Sequence, residues 1–399
     1  MVPDPYDVVF KSTDENGNVV ANKSNGVIRD YPRKNPYDTK PGEKPYVLEI
    51  VWRNVFIMLY AHCAALKVFW TPCQLSTILI AVGYGILGSW GIAAGAHRLM
   101  AHKSYKANRN LQLLLIFFQT IALQNSCIEW VRDHRVHHKY SDTNADPHNA
   151  SRGFFFSHMG WLLCKKHPDV RKYGSRISMA DLECDPVLRF QHKYYVWLVL
   201  LISLSIPIFI STYIFGDTFS AAYHMNIFRI VLAWHITWSI NSVSHIWGNR
   251  PFEKDILPTD TFIIGFLAFG EGWHNFHHVY PWDYKVSELP NYYCNFTIPF
   301  IDFFAWLGWA TDLKMASDEM IRKRIMKSGD GTHRYSIEEA KKKKTAKELL
   351  DLFNNKVLQK SNPHELEGDF ADTYWGYGDN DIPEEEIKDI TILKPTKGK

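Results

Sequence analysis

The chain has little of what holds secreted or nucleic-acid-binding folds together. Its six cysteines (Cys63, Cys73, Cys127, Cys164, Cys184 and Cys294) form no CxxC pair, which argues against a disulfide framework or a zinc ribbon. Neither sign of charge prevails: 45 basic residues nearly cancel 42 acidic ones, so a net charge of +3 over 399 residues creates no chain-wide field to draw nucleic acid. The opening stretch, MVPDPYDVVFKSTDENG, lacks the basic start and apolar centre of a cleavable signal peptide. At 46% hydrophobic and 15% aromatic, the composition also excludes disordered and collagen-like classes. What is abundant is histidine (18), tryptophan (14), tyrosine (20) and phenylalanine (24), a profile that points to metal beside lipid.

Apolarity is concentrated between two polar tails. Residues 1–45 read as a mobile polar arm and 321–399 as a charged tail, with KKKK at 341–344, an acidic run at 384–386 and one helix expected from an N-cap at Ser336 through Leu349, Leu350 and Phe353. No chemistry is expected from either tail. Between them, Leu75 to Ala96 and Val196 to Gly216 carry no charged residue, and each is long enough at 1.5 Å per residue to cross a hydrocarbon core of roughly 30 Å. Residues 50–70 and 219–244 are weaker partners, interrupted by Arg53, His62 and Lys67 and by His224, Arg229 and His235. Pairing them predicts an all-α integral membrane protein. Four spans (50–70, 75–96, 196–216, 219–244) form two hairpins under a helical cap, within a domain running from 46 to 320. The hairpin connections hold one basic residue, Lys67, whereas 97–193 is dense in Arg and Lys, so both tails and the cap are expected in the cytosol. The apolar runs Leu111 to Gln124, Leu257 to Gly272 and Phe296 to Ala310 are too short to span and read as interfacial or buried.

Chemistry concentrates in three histidine boxes: His97-Arg-Leu-Met-Ala-His102, His134-Arg-Val-His137-His138 and His274-Asn-Phe-His277-His278. On a helix, positions i, i+3 and i+4 share a face, so each HxxHH is expected to present three imidazoles to a common point. His97 and His102, five apart, diverge by about 140° on a regular helix, so the first should end the spanning helix and the second begin the next element. Trp238, Asn241 and His245 form a stripe at i, i+3 and i+7 on the fourth span, which adds His245 as a ninth imidazole and Asn241 through its amide oxygen, directly or through water. The remaining histidines, among them His62, His148, His158 and His235, read as structural. Eight or nine imidazoles exceed what one ion uses, so two metals are implied. Imidazole-rich sites without a carboxylate of the HExxH type point to a redox pair, iron above all, and the nearby acids Asp133, Asp142, Asp146 and Glu271 are candidates to orient the rings.

At these residues the chain resembles a known family. GAHRLMAH (95–102), WVRDHRVHHKYSDTNADPHN (130–149), FFFSHMGWLL (154–163), NSVSHIWG (241–248) and GEGWHNFHHVYPWDY (270–284) are similar to the animal acyl-CoA Δ9 desaturases, the stearoyl-CoA desaturases, over residues 46–331. The resemblance implies an endoplasmic-reticulum membrane enzyme with both termini and its active site cytosolic. Two irons (Fe2+/Fe3+) would be held by nine histidines, with a water-mediated Asn241. The co-substrate would be O2, and electrons would come from cytochrome b5 and its NADH-dependent reductase. No HPGG haem motif occurs, so no fused haem domain is expected. Its acyl-CoA contacts fall on Asn54, Asn125, Arg132, Asp133, Lys165, Lys166 and Trp238; Lys165-Lys166 stands where Arg-Lys is usual, and Met100 replaces a tryptophan.

The expected reaction is insertion of a cis double bond, by default at Δ9, into a saturated C16–C18 fatty acyl-CoA. On the face of His97 the second span carries Ala93, Ser89, Gly85 and Ala81, all small, and Gly85 and Ala81 are expected to set the depth of an acyl tunnel. A diiron fatty-acyl hydroxylase uses similar boxes but adds 16 mass units rather than losing two. A non-catalytic membrane metal-binding protein would survive replacement of His137.

Overall fold

A computed structural model describes residues 12–13, 19–20, 46–288, 294–343 and 373–394. Most of the amino-terminal arm and the segment bearing Leu349, Leu350 and Phe353 lie outside the described residues. The described part is all-α apart from three short two-stranded pairings.

Helix α1 (Trp52–Leu66) leads through a 3-10 turn to a second helix, α2, that runs unbroken over Leu75–Ala101. After α3 (Arg109–Ala122) and α4 (Cys127–Lys139), short helices lead to α5 (Tyr195–Ile214) and the 28-residue α6 (Phe219–Ile246). Two of these, α2 and α5, are long and apolar enough to cross a membrane unaided. The outward faces of α1, α2 and α5 leave Trp52, Phe56, Leu79, Trp197, Leu201 and Tyr213 exposed, as a lipid-facing surface requires. Helix α1 packs on α6, and α2 packs on both α3 and α6. Asp217, between α5 and α6, ties that connection to the start of α2, accepting from the Gln74 amide at 2.9 Å and the Thr77 hydroxyl at 2.6 Å, while Thr218 caps α6. The end of α2 that carries His97 and the end of α6 that carries His245 therefore lie at the other end of the bundle.

The run from Leu111 to Gln124 does not extend into a span. Leu123 and Asn125 adopt left-handed φ values of 54° and 69°, the chain bends by 85° between α3 and α4, and Ser126 restarts it with a capping box to Glu129. Close packing makes this possible: a Cβ on Gly91 would lie 2.2 Å from the Gln119 amide nitrogen. Arg229, buried in α6, is satisfied by the carbonyls of Ile121 (3.0 Å) and Ser203 (2.9 Å), which lock α3 and α5 against α6.

Two expectations for the chain after residue 320 change. The helix Arg334–Lys343 begins before Ser336, so this serine is not its N-cap. The described tail is also part of the cap: strand β1 (Leu313–Met315) pairs antiparallel with β2 (Thr391–Leu393), and Tyr374, Trp375, Ile382 and Ile390 are buried.

Candidate metal centre

The first departure from ordinary helix geometry is also the first feature of the site. From Gly91 to Ala101, α2 winds as a π-helix, and the His102 amide donates to the His97 carbonyl five residues back at 3.1 Å. The wider turn brings His97 and His102 onto one side, with ring centroids 4.7 Å apart, where a regular helix would separate them. The expectation that a new element begins between them is replaced by this local winding.

Nine buried histidines gather in two abutting groups. His97, His102, His134, His138 and His277 form one, and His137, His245, His274 and His278 the other; within each, one ring nitrogen per residue lies within 4.8 Å of all the rest. Neither HxxHH box serves a single point. Each sends its i and i+4 members to one group and its i+3 member to the other, because i+3 and i+4 lie about 100° apart around the axis. The groups touch where His138 stacks on His278 at 4.1 Å.

The ring nitrogens fit metal ions better than they fit one another. Nε2 faces Nε2 at 2.9 Å for His97 and His277, 2.9 Å for His102 and His134, 3.0 Å for His138 and His277, and 3.0 Å for His245 and His274. The His278 Nε2 lies 3.1 Å from that of His274 and 3.3 Å from that of His137. One hydrogen cannot serve two such contacts, whereas metal–nitrogen bonds of about 2.0–2.1 Å at right angles place ligand nitrogens about 2.9 Å apart. The opposite ring nitrogens of four members are held by acceptors. The Nδ1 of His97 lies 2.9 Å from Glu271, that of His137 lies 2.8 Å from Asp146, that of His245 lies 3.0 Å from Asp142, and that of His102 meets the Trp375 carbonyl. Three of the four acids singled out in the sequence thus back a ring. Asp133 instead pairs with Lys166.

Electrostatics favour neutral, ligating rings. Burial, reinforced by neighbouring imidazoles, holds His102, His134, His138, His274, His277 and His278 well below the usual histidine range. His137 is the exception: burial pushes it down, but the Asp146 carboxylate outweighs this and raises it. Burial would raise the Glu271 carboxyl, yet Arg98 and His97 bring it below the ordinary value. Arg98 itself is fully buried, its Nη2 2.8 Å from Glu271.

Two cavities flank the centre. The larger, about 230 Å³, is lined by Leu123, Asn125, Trp130, His134, Trp238 and Asn241; the smaller, about 40 Å³, by Tyr84, Gly85, Ser89, Ala93, Arg229 and Glu271. Gln124 and Thr237 line both and are hydrogen-bonded to each other at 3.0 Å, so this pair stands at their junction. Of the residues expected to meet acyl-CoA, Asn125, Asp133 and Trp238 line the larger cavity. Asn54 bonds the carbonyl of Leu162 at its wall, while Arg132, Lys165 and Lys166 are partly exposed in pairs with Glu183, Glu49 and Asp133. Gly85 lines the smaller cavity; Ala81 is buried and does not.

Sequence reasoning missed three contributors. His148, read as structural, lies against the centre: its ring is 4.3 Å from that of His137, it lines the larger cavity, and burial takes its pKa down to about 3. Arg98 sits inside box one, and its place there was the available signal. Trp375 comes from a tail whose aromatic Trp-Gly-Tyr-Gly run (375–378) is out of keeping with its polar surroundings.

Fold and site together define a multi-pass membrane protein whose buried histidine clusters suit a dimetal site. Comparison with known proteins narrows the class. The family model described as "Fatty acid desaturase" matches residues 69–295. The chain is 43% identical over 364 residues to the acyl-CoA Delta-9 desaturase of Acheta domesticus, covering 90% of each chain. It is 43% identical over 366 residues to the acyl-CoA Delta12-desaturase of the same species, covering 91% of each. To the acyl-CoA Delta(11) desaturase of Trichoplusia ni it is 47% identical over 295 residues, 73% of this chain and 84% of the relative. The protein belongs to the fatty acid desaturase family. Its relatives bear three different regiospecificities, so kinship with Δ9 enzymes alone is too narrow a description.

Proposed function

We propose that the protein is an acyl-CoA desaturase that introduces a cis double bond, with Δ9 the default position, into saturated C16–C18 fatty acyl-CoA. It would use O2 and electrons delivered by cytochrome b5 and its NADH-dependent reductase. The observation that carries this reading is the pair of histidine clusters beside two cavities that share the Gln124–Thr237 junction, the larger lined by His134 and the smaller by Glu271. The nine histidines would hold two irons, with Asn241 completing the four-histidine group directly or through water. The bound irons, with O2, supply the oxidising power to remove hydrogen from an unactivated methylene.

The chain's own residues bind, orient and exclude water. The partly exposed Lys165, Lys166 and Arg132, with Asn54, Asn125 and Asp133, would take the CoA head, their cations meeting its phosphates. The acyl chain would lie in the larger cavity past Trp238, turn at Gln124 and Thr237 beside His134 and Asn241, and end in the smaller cavity near Gly85. Burial of each methylene contributes about 0.8 kcal/mol and excludes water from the reacting carbons. Glu271, Asp142 and Asp146 hold the Nδ1 protons of their histidines, so that each Nε2 lone pair points inward. We read four spans with both termini and the active site in the cytosol, a reading supported by the positive residues between 97 and 193 and by the 28-residue length of α6, in the endoplasmic-reticulum membrane that the resemblance implies.

Expression in an unsaturated-fatty-acid auxotroph, with location of any new olefin by mass spectrometry, tests the proposal. A product two mass units lighter with a cis bond supports it, and its position decides among Δ9, Δ11 and Δ12. A gain of 16 mass units, or product still formed by His137→Ala, would overturn it.

A further inference from the structure

The tail segment 373–394 reaches the centre itself. The Nδ1–H of His102 donates to the Trp375 carbonyl at 2.5 Å, and the Tyr377 amide donates to the His102 carbonyl at 2.9 Å, so the tail grips this residue at both side chain and backbone. The approach requires glycine: at Gly376, φ is 151°, and a Cβ would lie 2.6 Å from both the Cα and the carbonyl oxygen of His102. Independent anchors hold the segment in place. The Trp375 ring is buried beneath the Arg135 guanidinium at 4.4 Å, and Arg135 lies on α4 between His134 and His137. Asp379 accepts the Trp375 amide at 3.0 Å and the Lys139 ammonium at 2.9 Å, and Asp381 pairs with the same lysine. The β1–β2 pairing fastens the far end.

Asp142, Asp146 and Glu271 do for their histidines what Trp375 does for His102, but those acids sit within the boxed region, whereas Trp375 follows His102 by 273 residues. We propose that Trp375 is a positioning residue of the five-histidine group, its carbonyl fixing the tautomer and ring orientation of His102, and that the tail segment is thereby an integral part of one of the two metal sites and not of the other. The inference rests on the reading of the nine histidines as iron ligands.

The test uses the purified full-length protein loaded with iron. Iron per chain, its release to a chelator and its Mössbauer spectrum are compared for wild type, Gly376→Val and Asp379→Ala. The valine must push the segment off the His102 backbone; the alanine removes the clasp on Trp375 without touching α2. Loss of an outer-shell partner weakens metal binding by about 10- to 100-fold, so one iron of the two should leave that much faster, with only its own spectral component changed. General destabilisation would release both irons together. If Gly376→Val does not yield monodisperse protein, Asp379→Ala decides by the same readings. Two irons in wild type with unchanged release and spectrum in the variants, or equal acceleration of both irons, overturn the positioning role while leaving the desaturase reading intact. Wild-type protein that binds no iron overturns both.

Discussion

Gly85→Trp tests whether the small cavity holds the end of the acyl chain. Gly85 faces the Arg229 stem, whose Cγ lies 3.7 Å from where a Cβ would stand, and that arginine is held by the carbonyls of Ile121 and Ser203. A bulky side chain at 85 therefore has to occupy the cavity instead of displacing its wall. The cavity measures about 40 Å³, and each water-sized group takes about 10–15 Å³, so it accepts about three methylenes. At about 0.8 kcal/mol each, excluding them costs about 2.4 kcal/mol, a factor of about 60. In a competition assay with C14, C16 and C18 acyl-CoA, kcat/KM for the longest chain should fall by about that factor relative to the shortest. Iron content should stay at the wild-type level. Ala81→Trp, away from the cavity lining, should leave the ratio alone. A ratio in Gly85→Trp within about twofold of wild type would refute the assignment of the chain's end to this cavity.

Asp146→Asn should reduce iron retention by about 10- to 100-fold, read as metal per chain after dialysis, because Oδ2 accepts from His137 and the Asp142 amide while Oδ1 accepts the His148 amide, so an amide nitrogen in either place faces a donor. Gly91→Ala drives a methyl into the α3 backbone and should destabilise the protein by at least about 1–3 kcal/mol, seen as a lower Tm; an unchanged Tm would mean that α2 and α3 are not so closely packed. The metal-free protein should lose stability on acidification. His102, His134, His138, His274, His277 and His278 have folded pKa values below the unfolded value of about 6.5, so the unfolded chain binds more protons as pH falls below it, and each costs up to about 1.4 kcal/mol per pH unit. His137, with its raised value, runs the other way: its stabilisation is complete below about 6.5 and fades above its folded pKa. Thermal melts of chelator-treated protein at pH 7.5 and 5.5 should therefore give the lower Tm at 5.5, and equal melts would contradict the neutral assignment of the six.

Much of the site was legible because its chemistry is local in sequence. A repeated HxxHH and an HxxxxH name eight of the nine clustered histidines, since each box carries several imidazoles on one short stretch, even though its members then part between the two groups. His245 needed the stripe with Trp238 and Asn241, and the resemblance, to stand out from other single histidines. The apolar runs likewise announced α2 and α5, whose length is a direct requirement of the hydrocarbon core. The bend after Leu111–Gln124 was legible only as a shortage of length; its cause, the left-handed residues Leu123 and Asn125, lies in backbone angles that the residue types do not dictate.

Residue identity by itself determined which side chains can ligate, which stretches belong in lipid and which family pattern they follow, because composition and short-range spacing encode donor chemistry and hydropathy directly. Only the tertiary structure decided how the histidines divide between two centres, that a π-wound turn unites His97 with His102, which acid backs which ring, and that Trp375 reaches His102. Those outcomes depend on helix phase and on contacts between segments as much as 273 residues apart, where packing and the approach of one backbone to another decide the partner.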